Sequence, residues 1–262
     1  MAPVRYVASA DGTRIAYRLS GSGEPILFVH GASTSGADWA FVRRFLRERF
    51  TVVTMDRRGR ADSGDGSDYA IEREADDVLA VLDAVGAEML VGHSYGALCS
   101  VLAAQRMTSL RRLVLYEPPI AVREDRVVGL EELVANDRDA AVEAFLRSAG
   151  TPSDQLDAIR SSAAWPVLVD AVPALPRELR AGAAWRHPPG PINVPTLLLL
   201  GGDTDNPVYL EGLDELQATV PDARRELIPG QRHVGHVFAA EVFAELIAGF
   251  CAPEPALRGV DC

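Results

Sequence analysis

The stretch Gly92-His93-Ser94-Tyr95-Gly96 sets one serine between two glycines, at the point where one apolar run ends and another begins. Residues 88–91 have the character of a short strand, and residues 97–104 that of a buried helix. In so tight a turn a serine is driven toward positive φ, and a side chain at either glycine position would collide with the neighbouring strand or helix. The pattern predicts a nucleophile elbow, with a plain tight turn as the alternative.

Strand and helix signals alternate on both sides of this turn. The predicted strands are residues 5–8, 13–19, 25–29, 51–55, 88–91, 113–116, 196–200 and 225–228, the first two joined by a hairpin at Asp11-Gly12. The predicted helices of this part are residues 39–48, 69–85, 97–104, 208–220 and 239–250. Such alternation predicts the α/β class, with a mostly parallel eight-stranded sheet and helices on both faces.

One long stretch between two predicted strands carries no strand signal. Its predicted helices are residues 123–136, 139–149, 153–163 and 176–185. We therefore expect a core of residues 1–119 and 191–262 and a helical lid of residues 120–190. Ligands of open α/β sheets bind beyond the carboxyl ends of the strands, which is where this insertion begins and ends.

Composition narrows the range of partners. The chain has 262 residues, 48% of them hydrophobic and 24% charged, which suits one large globular α/β domain. The formal net charge of -11 argues against nucleic acid and against an anionic membrane surface. We expect an apolar small molecule as the partner, and the sequence does not indicate an oligomeric state.

The first residues lack the apolar segment of a secretory signal, and no apolar run reaches the roughly 20 residues of a membrane span. A cytoplasmic location is therefore expected. Cys99, Cys251 and Cys262 show no metal-ligand spacing, so we predict free thiols and no metal site. A disulfide between Cys251 and Cys262 is the alternative.

When a serine hydroxyl attacks a carbonyl group, an oxyanion forms on the carbonyl oxygen, and two backbone N–H donors are required to stabilise it. One should be the N–H of Tyr95, which directly follows the serine. The second is assigned to the N–H of Ala32, in the loop that begins with His30 and Gly31 after the third strand. Gly31 allows this loop to bend back over the site, and we expect His30 and Gly31 to border the substrate pocket.

The general base should be a histidine late in the chain. His233 follows the last predicted strand in a loop that can carry its ring toward Ser94. His236 lies three residues further on and is predicted to be a helix-entry or pocket residue. The sequence favours His233 as the base.

Four segments in this order resemble the α/β-hydrolase family. They are His30-Gly31, the turn Asp56-Arg57-Arg58-Gly59-Arg60-Ala61-Asp62-Ser63 with Ala61 in place of a glycine, the elbow at Ser94, and Pro229-Gly230-Gln231-Arg232-His233. The resemblance implies an enzyme with a serine, histidine and acid triad that needs no cofactor. A serine at the elbow excludes the epoxide hydrolase and haloalkane dehalogenase branches, which use aspartate there.

The acid of the triad has two candidate positions. Most of the family carries it after the seventh strand, where Asp203 and Asp205 miss the usual register by one residue. Some members, such as the zearalenone lactone hydrolases, carry it after the sixth strand, where this chain has Glu117. A carboxylate at a buried strand end needs a partner, and a protonated imidazole would be one. We favour Glu117, although it could instead cap a helix or pair with an arginine.

The lid should determine the substrate. Trp165 and Trp185 offer aromatic surface, and we expect one of them to face the substrate, with Tyr95 at the pocket floor. The resulting hypothesis is a serine hydrolase for an apolar ester or lactone. The alternatives are C–C bond hydrolysis, hydroxynitrile lysis or perhydrolysis by the same triad, or a binding module without catalysis.

Overall fold

The computed structural model describes residues 2–120, 129–185 and 191–252. Its eight strands are β1 (Arg5–Ala8), β2 (Arg14–Gly21), β3 (Pro25–Val29), β4 (Thr51–Met55), β5 (Met89–His93), β6 (Arg112–Tyr116), β7 (Thr196–Gly201) and β8 (Ala223–Ile228). They form one sheet in the order β1-β2-β4-β3-β5-β6-β7-β8. Strand β2 pairs antiparallel with β1 and β4, and the other neighbours are parallel.

Helices cover both faces of this sheet. They are α1 (Ala40–Leu46), α2 (Ile71–Val85), α3 (Tyr95–Ala104), α4 (Leu130–Asn136), α5 (Arg138–Ser148), α6 (Ser153–Arg160), α7 (Trp165–Ala171), α8 (Leu175–Ala184), α9 (Pro207–Thr219), α10 (Gly235–Phe238) and α11 (Ala240–Cys251). Two 3₁₀ turns, Gly36–Trp39 and Val172–Ala174, precede α1 and α8. No helix among the described residues combines the length and the apolarity that crossing a membrane would require.

The central strands are apolar on both faces, as parallel strands between two helical layers must be. Leu113 and Leu115 of β6 contribute to a cluster on one face that includes residues of α2 and α3. Val114 and Tyr116 contribute to a second cluster on the other face, with residues of α1 and α11. The parallel pairing of β3 to β8 places the carboxyl ends of these strands at one edge of the sheet, which is where the functional residues emerge.

Helices α4 to α8 lie between β6 and β7 in the chain and contain a hydrophobic cluster of their own, to which Val134, Leu146 and Leu175 belong. The predicted helix over residues 123–136 is described only from Leu130, since residues 121–128 lie outside the described residues. Residues 186–190 at the other junction lie outside them as well. The division into core and lid therefore stays a prediction.

The observed architecture confirms the predicted fold class, a mostly parallel eight-stranded sheet with helices on both faces. The antiparallel hairpin of β1 and β2 is also found, joined through Asp11-Gly12 as predicted. Helix α7 was not predicted, because Trp165 to Ala171 is almost wholly apolar and shows no polar face of helical period.

Candidate active site

Ser94 lies in a sharp turn between β5 and α3, with φ of 53°. The two flanking glycines have no room for a side chain. A Cβ at Gly92 would lie 2.5 Å from Ser100 Oγ, and one at Gly96 would lie 2.4 Å from the carbonyl oxygen of His30. The turn therefore has the strained backbone and the close packing of a nucleophile elbow.

The ring of His233 bridges Ser94 and Glu117. His233 Nε2 lies 3.0 Å from Ser94 Oγ, and His233 Nδ1 lies 2.7 Å from Glu117 Oε2. Since an ionised carboxylate only accepts, Nδ1 carries the proton and the lone pair of Nε2 faces the serine hydroxyl. This is the arrangement in which an imidazole can take a proton from a serine.

Glu117 directly follows β6 and is fully buried, with φ of 46°. Its Oε1 accepts hydrogen bonds from the N–H of Gly201 at 2.9 Å and from Thr204 Oγ1 at 2.5 Å. Both carboxylate oxygens thus have donors, which is what keeps a buried charge tolerable. Glu117 neither caps a helix nor pairs with an arginine among the described residues.

Asp203 and Asp205, the competing acid candidates, are both exposed. Asp205 pairs with Arg232, and this hydrogen bond lowers the pKa of the Asp205 carboxyl. The structure thus brings Glu117 to His233 and leaves the two aspartates at the surface.

Aromatic side chains hold the loop that carries His233. The hydroxyl of Tyr116 donates to the carbonyl of Arg232 and accepts from the N–H of Gly235 at 3.0 Å. His93 Nε2 donates to the carbonyl of His233 at 3.0 Å. Burial lowers the pKa of the His93 imidazole far below its usual range, so this support is neutral.

The two proposed oxyanion donors border the same cavity as Ser94. Ala32 and Tyr95 both line it, and Tyr95 is the first residue of α3. Within the described residues, neither backbone N–H donates a hydrogen bond. A helix N-terminus with free N–H groups favours negative charge, as an oxyanion would bring.

The cavity has a volume of ≈ 320 Å³. Its described walls are Ala32, Ser94, Tyr95, Pro119, Gly129, Leu130, Leu133, Ala144, Phe145, Ser148, Ala149, Leu179, Val208 and Tyr209. No charged side chain is among them, and most of the wall is aliphatic or aromatic. Such a wall suits an apolar ligand.

The sequence analysis missed Tyr209. Its ring stacks on the ring of His233, with centroids 4.2 Å apart and planes 7° from parallel. Tyr209 lies on α9, and a single aromatic residue on a helix gives no signal of such a contact in the sequence.

Neither lid tryptophan, of which one was predicted to face the substrate, is among the described residues that line this cavity. Trp165 packs inside the cluster of α4 to α8, and its Nε1 donates to Asp139 Oδ1 at 2.6 Å. Trp185 is buried against the core of the main sheet. Leu133 and Phe145 supply apolar surface in their place.

His30, Gly31 and His236 were also predicted as pocket residues, and they are buried residues that are not among the described walls of the cavity. His30 Nδ1 donates to the carbonyl of Gly31 at 2.8 Å. Burial, and then the charge of Arg57, lower the pKa of the His30 imidazole well below its usual range. His236 is buried and bonds Asp38 Oδ2 through Nε2 at 2.9 Å.

Asp38, His93 and His236 form the one group of described residues whose types and spacing could suit a metal ion. The His93 and His236 ring centroids lie only 4.3 Å apart, and Nε2 of each ring already has a protein partner. These contacts describe a packed aromatic cluster. The cysteines Cys99 and Cys251 are buried free thiols, and Cys262 lies outside the described residues.

The sheet order, the elbow and the serine–histidine–glutamate chain together define the class of protein. Residues 26–246 match the model of the Alpha/beta hydrolase family, and the chain belongs to that family.

Relatives of known structure or name agree with this. An alpha/beta hydrolase from Sphaerobacter thermophilus superposes with a TM-score of 0.81 at 33% identity, covering 95% of this chain and 100% of that one. A non-heme haloperoxidase from Rhodococcus erythropolis is 30% identical over 87% of this chain and 92% of its own length. N-formylmaleamate deformylase from Pseudomonas putida is 37% identical, but the match spans only 43% of this chain and 44% of that protein.

Proposed function

We propose that this chain is a serine hydrolase that cleaves a carboxylic ester or lactone of an apolar small molecule through an acyl-enzyme. The observation that carries the proposal is the continuous hydrogen-bonded chain from Glu117 through His233 to Ser94, which borders a cavity whose described walls carry no charged side chain. Membership of the alpha/beta hydrolase family supports a hydrolytic reaction.

In the acylation step, Ser94 Oγ bonds to the carbonyl carbon of the substrate while its proton passes to His233 Nε2. The carbonyl electron pair moves onto oxygen, and the N–H groups of Ala32 and Tyr95 receive that charge. Glu117 stabilises the imidazolium that has formed. The tetrahedral intermediate then expels the alcohol oxygen, which takes the proton from His233 Nε2.

Deacylation repeats these steps with water as the nucleophile. His233 Nε2 removes a proton from water as its oxygen bonds to the acyl carbon, and the same two N–H groups hold the new oxyanion. Collapse breaks the bond to Ser94 Oγ, which recovers its proton from His233. A lactone would follow the same course, with its own hydroxyl as the tethered leaving group.

The cavity supports a substrate without charge near its ester bond. Leu130, Leu133 and Phe145 offer apolar contact, and no described wall residue is a cation that would hold a carboxylate. Each methylene group buried against such a wall contributes about 0.8 kcal/mol, or roughly a fourfold gain in kcat/KM. We therefore expect kcat/KM to rise with the length of the acyl chain until the cavity is full.

The experiment is turnover of a series of p-nitrophenyl esters of increasing acyl length, alongside small and macrocyclic lactones. A fluorophosphonate probe should label the protein once, and Ser94→Ala should abolish both labelling and turnover. His236→Gln, in the aromatic cluster and not among the described walls, should still be labelled.

Labelling that persists in Ser94→Ala would contradict the proposed nucleophile. An intact chain that is neither labelled nor active on any ester or lactone would contradict the proposed function. Such a result would favour the binding module without catalysis.

A further inference from the structure

Arg57 is buried and lies two residues beyond Met55, the last residue of β4. An arginine in the interior is costly unless every donor of its guanidinium has a partner. Its partners in this molecule are the two elements that supply the oxyanion donors, together with two buried glutamates.

The first contact fixes the loop of Ala32. Arg57 Nη1 donates to the carbonyl of Gly31 at 3.0 Å, and His30 Nδ1 donates to the same oxygen at 2.8 Å. The N–H of Arg57 in turn donates to His30 Nε2 at 3.0 Å, so the His30 ring is locked as well. In a trans peptide the carbonyl and the following N–H point in opposite directions, and the described chain has no cis peptide. Holding the Gly31 carbonyl therefore orients the N–H of Ala32.

The second contact concerns Tyr95. The guanidinium carbon of Arg57 lies 4.5 Å from the centroid of the Tyr95 ring, over its face. The hydroxyl of Tyr95 lies 3.1 Å from that of Tyr69, which donates to Glu74 Oε1. The side chain of the second oxyanion residue is thus held by Arg57 and by a partner of Arg57.

The glutamates complete the arrangement. Arg57 Nε and Nη2 donate to the two oxygens of Glu74 at 2.7 and 2.5 Å, and Nη2 also donates to Glu178 Oε1 at 2.5 Å. Burial alone would raise the pKa of Glu74, but the charge of Arg57 and its hydrogen bond outweigh it and lower the pKa, so Glu74 stays ionised. Glu178 also pairs with Arg60, which leaves two buried cations facing two buried anions.

Glu178 belongs to α8, one of the helices between β6 and β7. The guanidinium that holds the oxyanion loop therefore also anchors one of these helices. Only a planar cation with several donors can make all of these contacts, so a lysine cannot replace it.

We propose that Arg57 is a positioning residue that builds the oxyanion hole, by holding the Gly31-Ala32 peptide and Tyr95, and that Glu178 ties this hole to α8. The inference rests on the proposed ester hydrolysis. Arg57 is not among the described residues that line the cavity, and it acts through the two N–H donors.

The test compares Arg57→Lys with Arg58→Lys. Arg58 is the matched control, because it is an adjacent buried arginine that binds Asp77 through two hydrogen bonds of 2.7 Å and touches neither oxyanion element. Four quantities are measured for each variant: kcat and KM for a p-nitrophenyl ester, affinity for a trifluoromethyl ketone that forms an oxyanion adduct on serine, and inhibition by the matching ether, which has no carbonyl oxygen.

Arg57→Lys should lower kcat about 10- to 100-fold, as a misplaced catalytic donor does, with KM little changed. Affinity for the trifluoromethyl ketone should fall in the same ratio, while inhibition by the matching ether, which brings no oxyanion, stays the same. Arg58→Lys should lose thermal stability but keep both kcat and ketone affinity. Should Arg57→Lys not fold, Glu178→Gln decides, since it removes one charge of the network and should weaken affinity for the ketone more than affinity for the ether.

The role of Arg57 would be overturned if Arg57→Lys had the same kcat and ketone affinity as Arg58→Lys. It would also be overturned if Glu178→Gln had the same kcat and ketone affinity as the unaltered chain. Ester hydrolysis would stand in both cases. An unaltered chain that resists the fluorophosphonate and turns over no ester would overturn the proposed function instead. The two failures are therefore distinguishable.

Discussion

Two residues of the site hold backbone conformations that side chains rarely adopt. Ser94 has φ of 53° and Glu117 has φ of 46°, and each directly follows a buried parallel strand. Such conformations cost on the order of 1–3 kcal/mol each and persist only where the surroundings impose them. Here the strand ends impose them, and the result is that both side chains reach the ring of His233.

The acid of the triad is tested by Glu117→Gln. A glutamine has the same shape but no charge to stabilise the imidazolium, and its amide can bond the ring in the wrong tautomer. We expect kcat for ester hydrolysis to fall by about 10⁴, as the corresponding change does in serine proteases. The measurement is steady-state turnover, with circular dichroism to verify the fold.

Asp205→Asn is the control for this substitution, because Asp205 is exposed and paired with Arg232. Its turnover should stay close to that of the unaltered chain. If Asp205→Asn were the inactive variant and Glu117→Gln the active one, the acid would be wrongly assigned.

The stacked ring of Tyr209 should stabilise the protonated form of His233. A cation over an aromatic face gains about 0.5–2 kcal/mol. Tyr209→Leu should therefore lower kcat/KM about 2- to 30-fold, whereas Tyr209→Phe keeps the ring and most of the activity. A full pH–rate profile is the measurement, and equal rates for the leucine and phenylalanine variants would contradict the stacking argument.

At the scale of elements, the main sheet could be predicted from sequence because buried parallel strands are short, apolar and bounded by turn residues. The strands Pro25–Val29 and Thr51–Met55 have the predicted bounds. Helix α2 ends at Val85 with Gly86 at φ of 62°, as the glycine indicates. These signals are local, and so a single sequence contains them.

The roles of residues in the helices between β6 and β7 were harder to predict from sequence, because the apolar residues of these helices serve two purposes. Some pack the helices on one another, as Trp165 does, and some line the cavity, as Phe145 does. Composition does not separate the two uses, which depend on the direction of each side chain. The same holds for Arg57, whose partners Gly31 and Glu178 are distant in sequence.

Helix α5 and its end should set the acyl length that the cavity accepts. Ala149 is buried and lines the cavity just beyond α5, so Ala149→Leu adds bulk inside it. We expect the preferred p-nitrophenyl ester to become shorter, with each methylene lost costing about 0.8 kcal/mol of transition-state binding. Ala158→Leu, on the exposed side of α6, is the matched control and should leave the chain-length profile unaltered.

At the scale of the whole molecule, charge is distributed unevenly between surface and interior. The formal net charge is -11, yet Arg57, Arg58 and Arg60 are all buried and each pairs with carboxylates. The interior also holds histidines that burial keeps neutral. The free energy of unfolding therefore depends on pH through groups that are buried in the folded state.

His30 and His93 make the fold sensitive to mild acid. Burial lowers the pKa of both far below the usual value of 6.5. In the unfolded chain both regain that ordinary value, so below about pH 6.5 the unfolded state binds more protons than the folded state. The free energy of unfolding must then fall as pH falls, and it is fully retained only above that pH.

Once the pH is well below 6.5, each of the two histidines should lower the free energy of unfolding by about 1.4 kcal/mol for every further unit of pH. The pKa of Glu74 is lowered from 4.5, so the stability that Glu74 contributes is lost only near and below that pH, under the range in which the two histidines act. His93→Gln keeps a donor for the carbonyl of His233 but cannot titrate, and it should make the pH dependence shallower by that amount.

Val91→Ala, a buried truncation in β5, should lower stability equally at every pH, since it removes no titrating group. Urea unfolding at several pH values measures both, and parallel curves for His93→Gln and the unaltered chain would show that His93 is not held neutral by the fold.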